Sequence, residues 1–289
     1  MAYILCNFGG NIGWRDENNT SGLYKYMKSS ANTGWHLGQD AGTYLFRDGS
    51  NVGWRYKSFV VALGSKSVGS IVKIKINNAD TNFIVVQHGR PGALYDSSFD
   101  GGTILLAQIE HSPQAWGKIG DSGSSWNVTY QFEYSGSINP YLRDTYYNLV
   151  DPQIRNLIKQ VNLLAGYVTH IVGQGPTTPG SQTFATKIFI PSVLELGFTP
   201  YSDYNFMYPV DGSIWNYFSS GGNPVSSSEY WTRTPFYERT GIKMAAFSIT
   251  PSGFTASTNN LLSYQYYIRA AFVLPQTVLV NDNGNVIPA

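Results

Sequence analysis

The sequence predicts an α+β protein, a small β-rich module followed by a larger domain, and three observations carry that prediction. Charge is scarce and turn and aromatic residues are abundant: 13% Asp, Glu, Lys and Arg against roughly 25% in an ordinary globular chain, 15% Phe, Trp and Tyr, with 30 Gly and 14 Pro among 289 residues. A motif Asn-x-Gly-Trp recurs near the N-terminus at a spacing close to 20 residues. One stretch, 137–164, carries helix signals, and the segments on both sides of it read as strands.

The elements follow in order. Asn11-Ile-Gly-Trp14-Arg15, Asn32-Thr-Gly-Trp35-His36 and Asn51-Val-Gly-Trp54-Arg55 mark a β module over residues 1–62. A period of that length suits a hairpin and its return turn, with Gly expected in the turn and Trp in the interior. Two roles fit Trp14, Trp35 and Trp54: an aromatic ligand platform, or the core of a module too small to have another. The core role is the stronger expectation. Ser70–Ile76 alternates, and Phe83–Val86 follows a polar Asn/Asp turn, which reads as a hairpin. Asn139-Pro140 and Asp151-Pro152 each look like a helix N-cap followed by proline, and Ile154, Leu157, Ile158 and Val161 form one apolar helical stripe. Ser192-Val-Leu-Glu195 has capping-box spacing with Gly197 placed to end a short helix. Met244–Thr250 and Phe254–Thr258 flank a Pro-Ser-Gly turn as a second hairpin, and Tyr267–Leu274 reads as one strong final strand.

Several function classes fall away. A net charge of +1 with no basic run gives no electrostatic footprint for nucleic acid. No stretch approaches the roughly 20 apolar residues of a membrane span, and Met1–Phe8 lacks the basic start of a secretory signal. The single cysteine, Cys6, permits neither an intrachain disulfide nor a thiolate cluster. His36, His88, His111 and His170 have no zinc-type spacing, and neither His88-Gly89 nor Glu110-His111 makes a convincing acid/base pair. No cofactor and no catalytic residue is expected.

From residue 63 onward an ordered set of motifs appears: Gly69-Ser-Ile-Val-Lys73, Phe83-Ile-Val-Val-Gln87, Gly89-x-Pro91, Tyr95-Asp, Asp100-Gly, Lys187-Ile-Phe-Ile190 with Glu195, Val210-Asp-Gly212, Tyr230-Trp-Thr-Arg-Thr-Pro235 and Ile268-Arg-Ala-Ala-Phe-Val-Leu-Pro275. Over 63–289 the set resembles a domain of unassigned function found in clostridial and gut-bacterial prophage structural proteins, a domain similar to the C-type-lectin-like fold. The resemblance implies paired N- and C-terminal strands, a helix pair behind them and long loops above. It places Trp231 in the core, with Arg233 and Arg269 satisfied by carboxylates, Glu195 or Asp211.

The enzyme branch of that fold needs a cysteine pair for its metal, which one cysteine cannot supply. The calcium-binding lectin branch needs an acidic Pro motif, whereas this chain has Asn223-Pro224 without the acid and Trp215-Asn216 before Tyr217. The resemblance therefore implies a non-enzymatic surface protein of a phage or phage-like particle, located on the virion exterior and binding a host glycan or protein receptor from a tail fibre or tail tip. A capsid decoration protein or head fibre is the alternative. Candidate binding residues are Tyr201, Tyr204, Tyr208, Trp215, Tyr217 and Tyr230, because Tyr and Trp bind with little entropy cost. For Trp215 and Tyr217 packing is the stronger expectation. Residues 1–62 would dock on other virion proteins or build a homo-oligomer.

Overall fold

The structure, a computed structural model, describes residues 3–8, 11–16, 25–29, 32–36, 43–48, 51–56, 60–116, 128–131, 138–171, 175–176, 179–199, 206–238, 243–256 and 265–287. At 3–56, 128–131, 169–176, 206–207, 237–245 and 254–256 the description is of the backbone. The chain divides into two compact units, Met1–Val60 and Val61–Ala289.

In the first unit each Asn-x-Gly-Trp motif lies on the second strand of an antiparallel hairpin, in the same register every time. Tyr3–Phe8 pairs Asn11–Asp16, Lys25–Ser29 pairs Asn32–His36, and Thr43–Asp48 pairs Asn51–Tyr56. Trp14, Trp35 and Trp54 stand opposite Leu5, Tyr26 and Leu45, and the motif glycines opposite Cys6, Met27 and Phe46. The glycine is thus a strand residue, which corrects the expectation that it supplies the turn. The first and third hairpins join into a four-stranded sheet through Tyr3↔Arg47 and Ile4↔Phe46.

The second unit is α+β and rich in strands. Its central sheet orders Ile188–Phe189, Ala271–Pro275, Gly102–Ala107, Ala79–His88 and Ile71–Ile76, antiparallel throughout. The expected first hairpin is present, turned by Asn77 and Asn78 at φ 50° and 63°, a left-handed pair that asparagine tolerates. A second sheet runs His111–Ala115, Gln265–Ile268, Tyr230–Glu238, Lys243–Thr250 and Gly253–Ala256, with Phe206–Met207 also pairing Tyr230–Glu238. A third is built on Val161–Ile171, flanked by Val128–Gln131 and Gly180–Thr186. Near the two ends of the unit, Val61–Ala62 pairs Leu279–Val280, and Leu279–Val280 pairs Val286–Ile287.

Three expected elements differ, one of them the short helix expected at 192–197, which is a turn. The Tyr267–Leu274 strand is two strands, Gln265–Ile268 and Ala271–Pro275, serving different sheets. The chain changes sheets at Arg269-Ala270, where Ala107 N–H donates to Ala270 O at 2.9 Å. The helix after Asp151 lasts one turn, Pro152–Arg155. Its cap forms as read, with Gln153 N–H donating to Asp151 Oδ1 at 2.9 Å. The helix then stops because Lys159 N–H turns to Val273 O (2.9 Å) and Val161 opens a long strand. Ile154, Ile158 and Val161 are buried as one apolar set, but by a turn and a strand rather than a helix. The helix before it, residues 138–149, carries a wide π turn over Tyr141–Tyr146 and keeps Pro140 in its first turn.

Candidate functional site

Among the described residues of the second unit, a buried hydrogen-bonded group is built around Arg233. It sits in the Tyr230–Glu238 strand where the ladder to Lys243–Thr250 shifts register, between Trp231↔Ser248 and Pro235↔Ala246. Such an irregularity releases a residue from its ladder and re-aims it. Arg233 N–H accordingly donates to Pro191 O at 3.0 Å, and the guanidinium enters the core, fully buried. All its N–H donors are used. Nε donates to Leu164 O (3.1 Å), Nη1 to Ile190 O (3.0 Å) and Glu195 Oε2 (2.5 Å), and Nη2 to Glu195 Oε1 (2.7 Å) and Asp211 O (2.7 Å). One side chain therefore ties a neighbouring strand, the 190–195 turn and the 208–217 loop together.

Glu195 is placed by local sequence. The 192–195 segment is the expected capping box, with Ser192 N–H donating to Glu195 Oε2 (2.8 Å) and Glu195 N–H to Ser192 Oγ (3.1 Å). It caps a turn, not a helix: Gly197 at φ +85° closes it with Gly197 N–H to Leu194 O (3.0 Å) and Phe198 N–H to Val193 O (3.2 Å). Tyr95 Oη adds a short hydrogen bond to Glu195 Oε1 and accepts from Ser213 N–H at 3.3 Å. Gly212 is seated so closely that a Cβ there would lie 2.6 Å from Ser192 Oγ and 2.8 Å from Glu195 Cγ.

The electrostatics follow from burial. Burial works to strip the Arg233 proton, but the charge and hydrogen bonds of Glu195 outweigh it and hold the guanidinium protonated. Burial, then the Glu195 charge, pushes the Tyr95 hydroxyl well up, so it remains a donor. Asp211 is also fully buried. It accepts from Thr234 Oγ1 on Oδ1 (3.2 Å) but has no partner on Oδ2, and burial raises its carboxyl to about 7. Of the two carboxylates expected for Arg233, Glu195 is therefore the one that pairs its guanidinium.

The expectation for Arg269 is corrected. Arg269 has no carboxylate partner among the described residues. Its Nε donates to Ala107 O (3.0 Å), its Nη1 to Pro224 O (3.1 Å) and Tyr230 Oη (3.4 Å), and its guanidinium lies 5.2 Å from the Tyr230 ring centre. The chain passes from one sheet to the other at this residue, which brings backbone carbonyls within reach of the side chain. Carbonyls and a ring satisfy it without an acid.

The aromatic residues expected on the surface divide. Trp215 and Tyr230 are fully buried: Trp215 packs, the stronger expectation for it, and a surface-binding role for Tyr230 is corrected. Tyr230 donates to Pro224 O (2.5 Å), and Trp215 stacks on Phe218 with ring centres 6.3 Å apart. Tyr208 is half-buried, edge-on to Phe247 at 6.1 Å. Tyr217 is half-buried against Phe218, and a Cβ on Gly222 would strike its ring at 2.5 Å. Tyr201 and Tyr204 lie outside the described residues, as do the side chains of Trp14, Trp35 and Trp54. Trp231 fills the core and donates from Nε1 to Gln114 O at 2.8 Å.

Among the described loop residues, the exposed large apolar side chains are aliphatic. Val210 is 57% exposed, and Ile214 and Leu94 are each 42% exposed. Their loops meet where Gly92 abuts Ser213 and where Tyr95 Oη takes the Ser213 N–H. Sequence reasoning missed these three because it sought aromatics. Val210 and Ile214 do flank Asp211-Gly212-Ser213, the part of the loop held by the buried hub. The loop is pressed onto the Val161–Ile171 strand, where a Cβ on Gly166 would lie 1.9 Å from Pro209 Cγ. Gly166→Ala is expected to cost about 1–3 kcal/mol by overpacking, read as a lowered urea midpoint. An unchanged midpoint would mean the loop is not seated on that strand.

His88 and His111, the histidines whose side chains are described, make structural contacts. His88 bridges Thr103 Oγ1 (2.9 Å) and Lys66 O (2.8 Å). His111 packs edge-on to Tyr146 at 5.0 Å, burial lowers its pKa, and Glu110 is engaged elsewhere, accepting from Ser228 N–H at 3.2 Å. Among the described residues no three His, Cys, Asp or Glu side chains are placed to hold a metal ion.

Residues 100–276 match the family described as Domain of unknown function (DUF6273). The chain belongs to this family. The match spans Asp100 to Gln276 and so takes in Glu195, Asp211, Arg233 and Arg269, every charged member of the buried groups above. No curated protein and no solved structure matches the chain.

Proposed function

We propose that this member of the DUF6273 family is a non-enzymatic surface protein of a phage or phage-like particle, whose second unit presents a C-type-lectin-like loop face to the host cell. The observation that carries the reading is the Arg233 hub. Among the described residues it holds the one fully buried ion pair, and it joins a strand and two loop segments, so its effect is to stiffen the loops above it. A loop face on a rigid scaffold suits recognition. Exposed Val210, Ile214 and Leu94, with half-buried Tyr208 and Tyr217 on the same 208–217 loop as the first two, give that face apolar side chains. Residues 1–60, three hairpins in a common register, would attach the chain to the particle.

The test uses fluorescently labelled full-length protein on a panel of clostridial and gut-bacterial cells. Saturable binding to at least one strain is expected. Val210→Asp with Ile214→Asp, both at exposed positions, should weaken it about tenfold or more while leaving the urea midpoint unchanged. Binding to no strain, or equal binding by the double variant, would contradict the assignment.

A further inference from the structure

A cavity of about 450 Å³ opens between the 138–149 helix and the Gly180–Thr186 strand, away from the Arg233 hub. Its size lies within the roughly 300–1,000 Å³ of small-molecule sites. The floor is apolar, made by buried Leu142, Phe184 and Ile188, and the amides of Asn139 and Gln160 stand among its lining. Two cations, Arg143 and Lys187, also line it, and no carboxylate does.

The charges there are arranged unequally. Arg143 is matched by its neighbour Asp144 through paired bonds of 2.7 and 2.6 Å on the exposed side. Lys187 has no acidic partner among the described residues, and neither has the nearby Arg155. Both gather on Tyr147: Lys187 Nζ donates to Tyr147 Oη at 2.8 Å and lies 5.0 Å from the ring centre, and the Arg155 guanidinium lies 5.6 Å from it. Tyr147 thus fixes an ammonium at the cavity wall, and two of the three Lys187 donors remain for a ligand. A half-buried cation without an acid, over an apolar floor and beside amides, complements a ring with one apolar face, several hydroxyls and one anionic group.

We infer that this cavity binds an acidic sugar unit, one bearing a carboxylate or a phosphate, of a bacterial surface polymer. The inference rests on the proposed host-surface role only for the source of the ligand. The two anionic chemistries are separated by calorimetric titration of the full-length protein with a galacturonic acid tetramer, a glycerol phosphate oligomer and a neutral galactose tetramer. At least one acidic probe should bind about tenfold or more tighter than the neutral one, since a charge-assisted hydrogen bond is roughly twice as strong as a neutral one. Lys187→Met, which keeps the stem and removes the charge, should erase that preference. Arg143→Gln provides a second variant at an exposed site and should weaken the acidic probe with the fold unchanged. Val210→Asp with Ile214→Asp should leave it unaltered. If neither acidic probe binds, if the neutral probe binds equally, or if a folded Lys187→Met (or, where that variant does not fold, Arg143→Gln) keeps the wild-type preference, the cavity assignment is overturned. Acidic-sugar binding by a double variant that also still binds cells like wild type would instead contradict the loop face alone.

Discussion

Replacing Glu195 by alanine is expected to destabilise the second unit by about 3–5 kcal/mol, because it leaves a fully buried guanidinium without its counter-charge. The cost is large because every alternative is closed. Arg233 has no route to solvent, and its other acceptors are carbonyls already engaged at 2.7 to 3.1 Å. Removing Glu195 also orphans the Ser192 N–H and the Tyr95 hydroxyl. The check is urea unfolding of the full-length protein followed by tryptophan fluorescence. A companion variant, Glu195→Leu with Arg233→Met, removes both charges and should recover much of the loss, since burying an ion pair is itself costly. If Glu195→Ala costs under about 1 kcal/mol, the value of an exposed pair, the pair is not buried as described.

Asp211 gives the second large effect, and its direction is opposite to that of most carboxylates. Its folded value is about 7 against an ordinary 3.8, with burial as the first cause and the Glu195 charge adding to it, while Arg233 and Thr234 pull the other way. Between those two values the unfolded chain has released the proton and the folded chain still holds it. Stability therefore falls as pH rises from about 4 to about 7, by about 1.4 kcal/mol per unit and about 4 kcal/mol in all, and is flat on either side as far as this group is concerned. Asp211→Asn should remove that slope and be more stable than wild type at pH 8, with urea midpoints across pH 4 to 8 as the measurement. Parallel pH profiles for the two proteins would show that Asp211 is not the group responsible.

How far the sequence could be read depended on the range of the interaction. Ser192, Glu195 and Gly197 lie within one turn, so their spacing reveals the capping box and its close. The Asn77-Asn78 turn and the Asp151 cap are local in the same way. The Ile154–Val161 periodicity misleads because its spacing serves equally for a turn running into a strand, and the bond from Lys159 N–H to Val273 O decides between them from more than a hundred residues away. The continuous apolar run from Tyr267 to Leu274 likewise hides a change of sheet at Arg269. Tyr95 as a partner of Glu195 has no local signal at all, since the two are 100 positions apart. Aromatic content drew attention to the 201–230 loops, but composition does not say which way a ring faces. Trp215 and Tyr230 are large enough to be needed inside, and among the described residues there the exposed large apolar side chains are Val210 and Ile214.

On the proposed function the chain stands on the outside of a particle with its second unit presented outward. Particles released from a bacterium carrying the gene, imaged by electron cryomicroscopy with a label on the C-terminus, test it most directly. Labelled density is expected on the particle exterior, attached through residues 1–60. Particles that lack the chain, or hold it only inside, would contradict it.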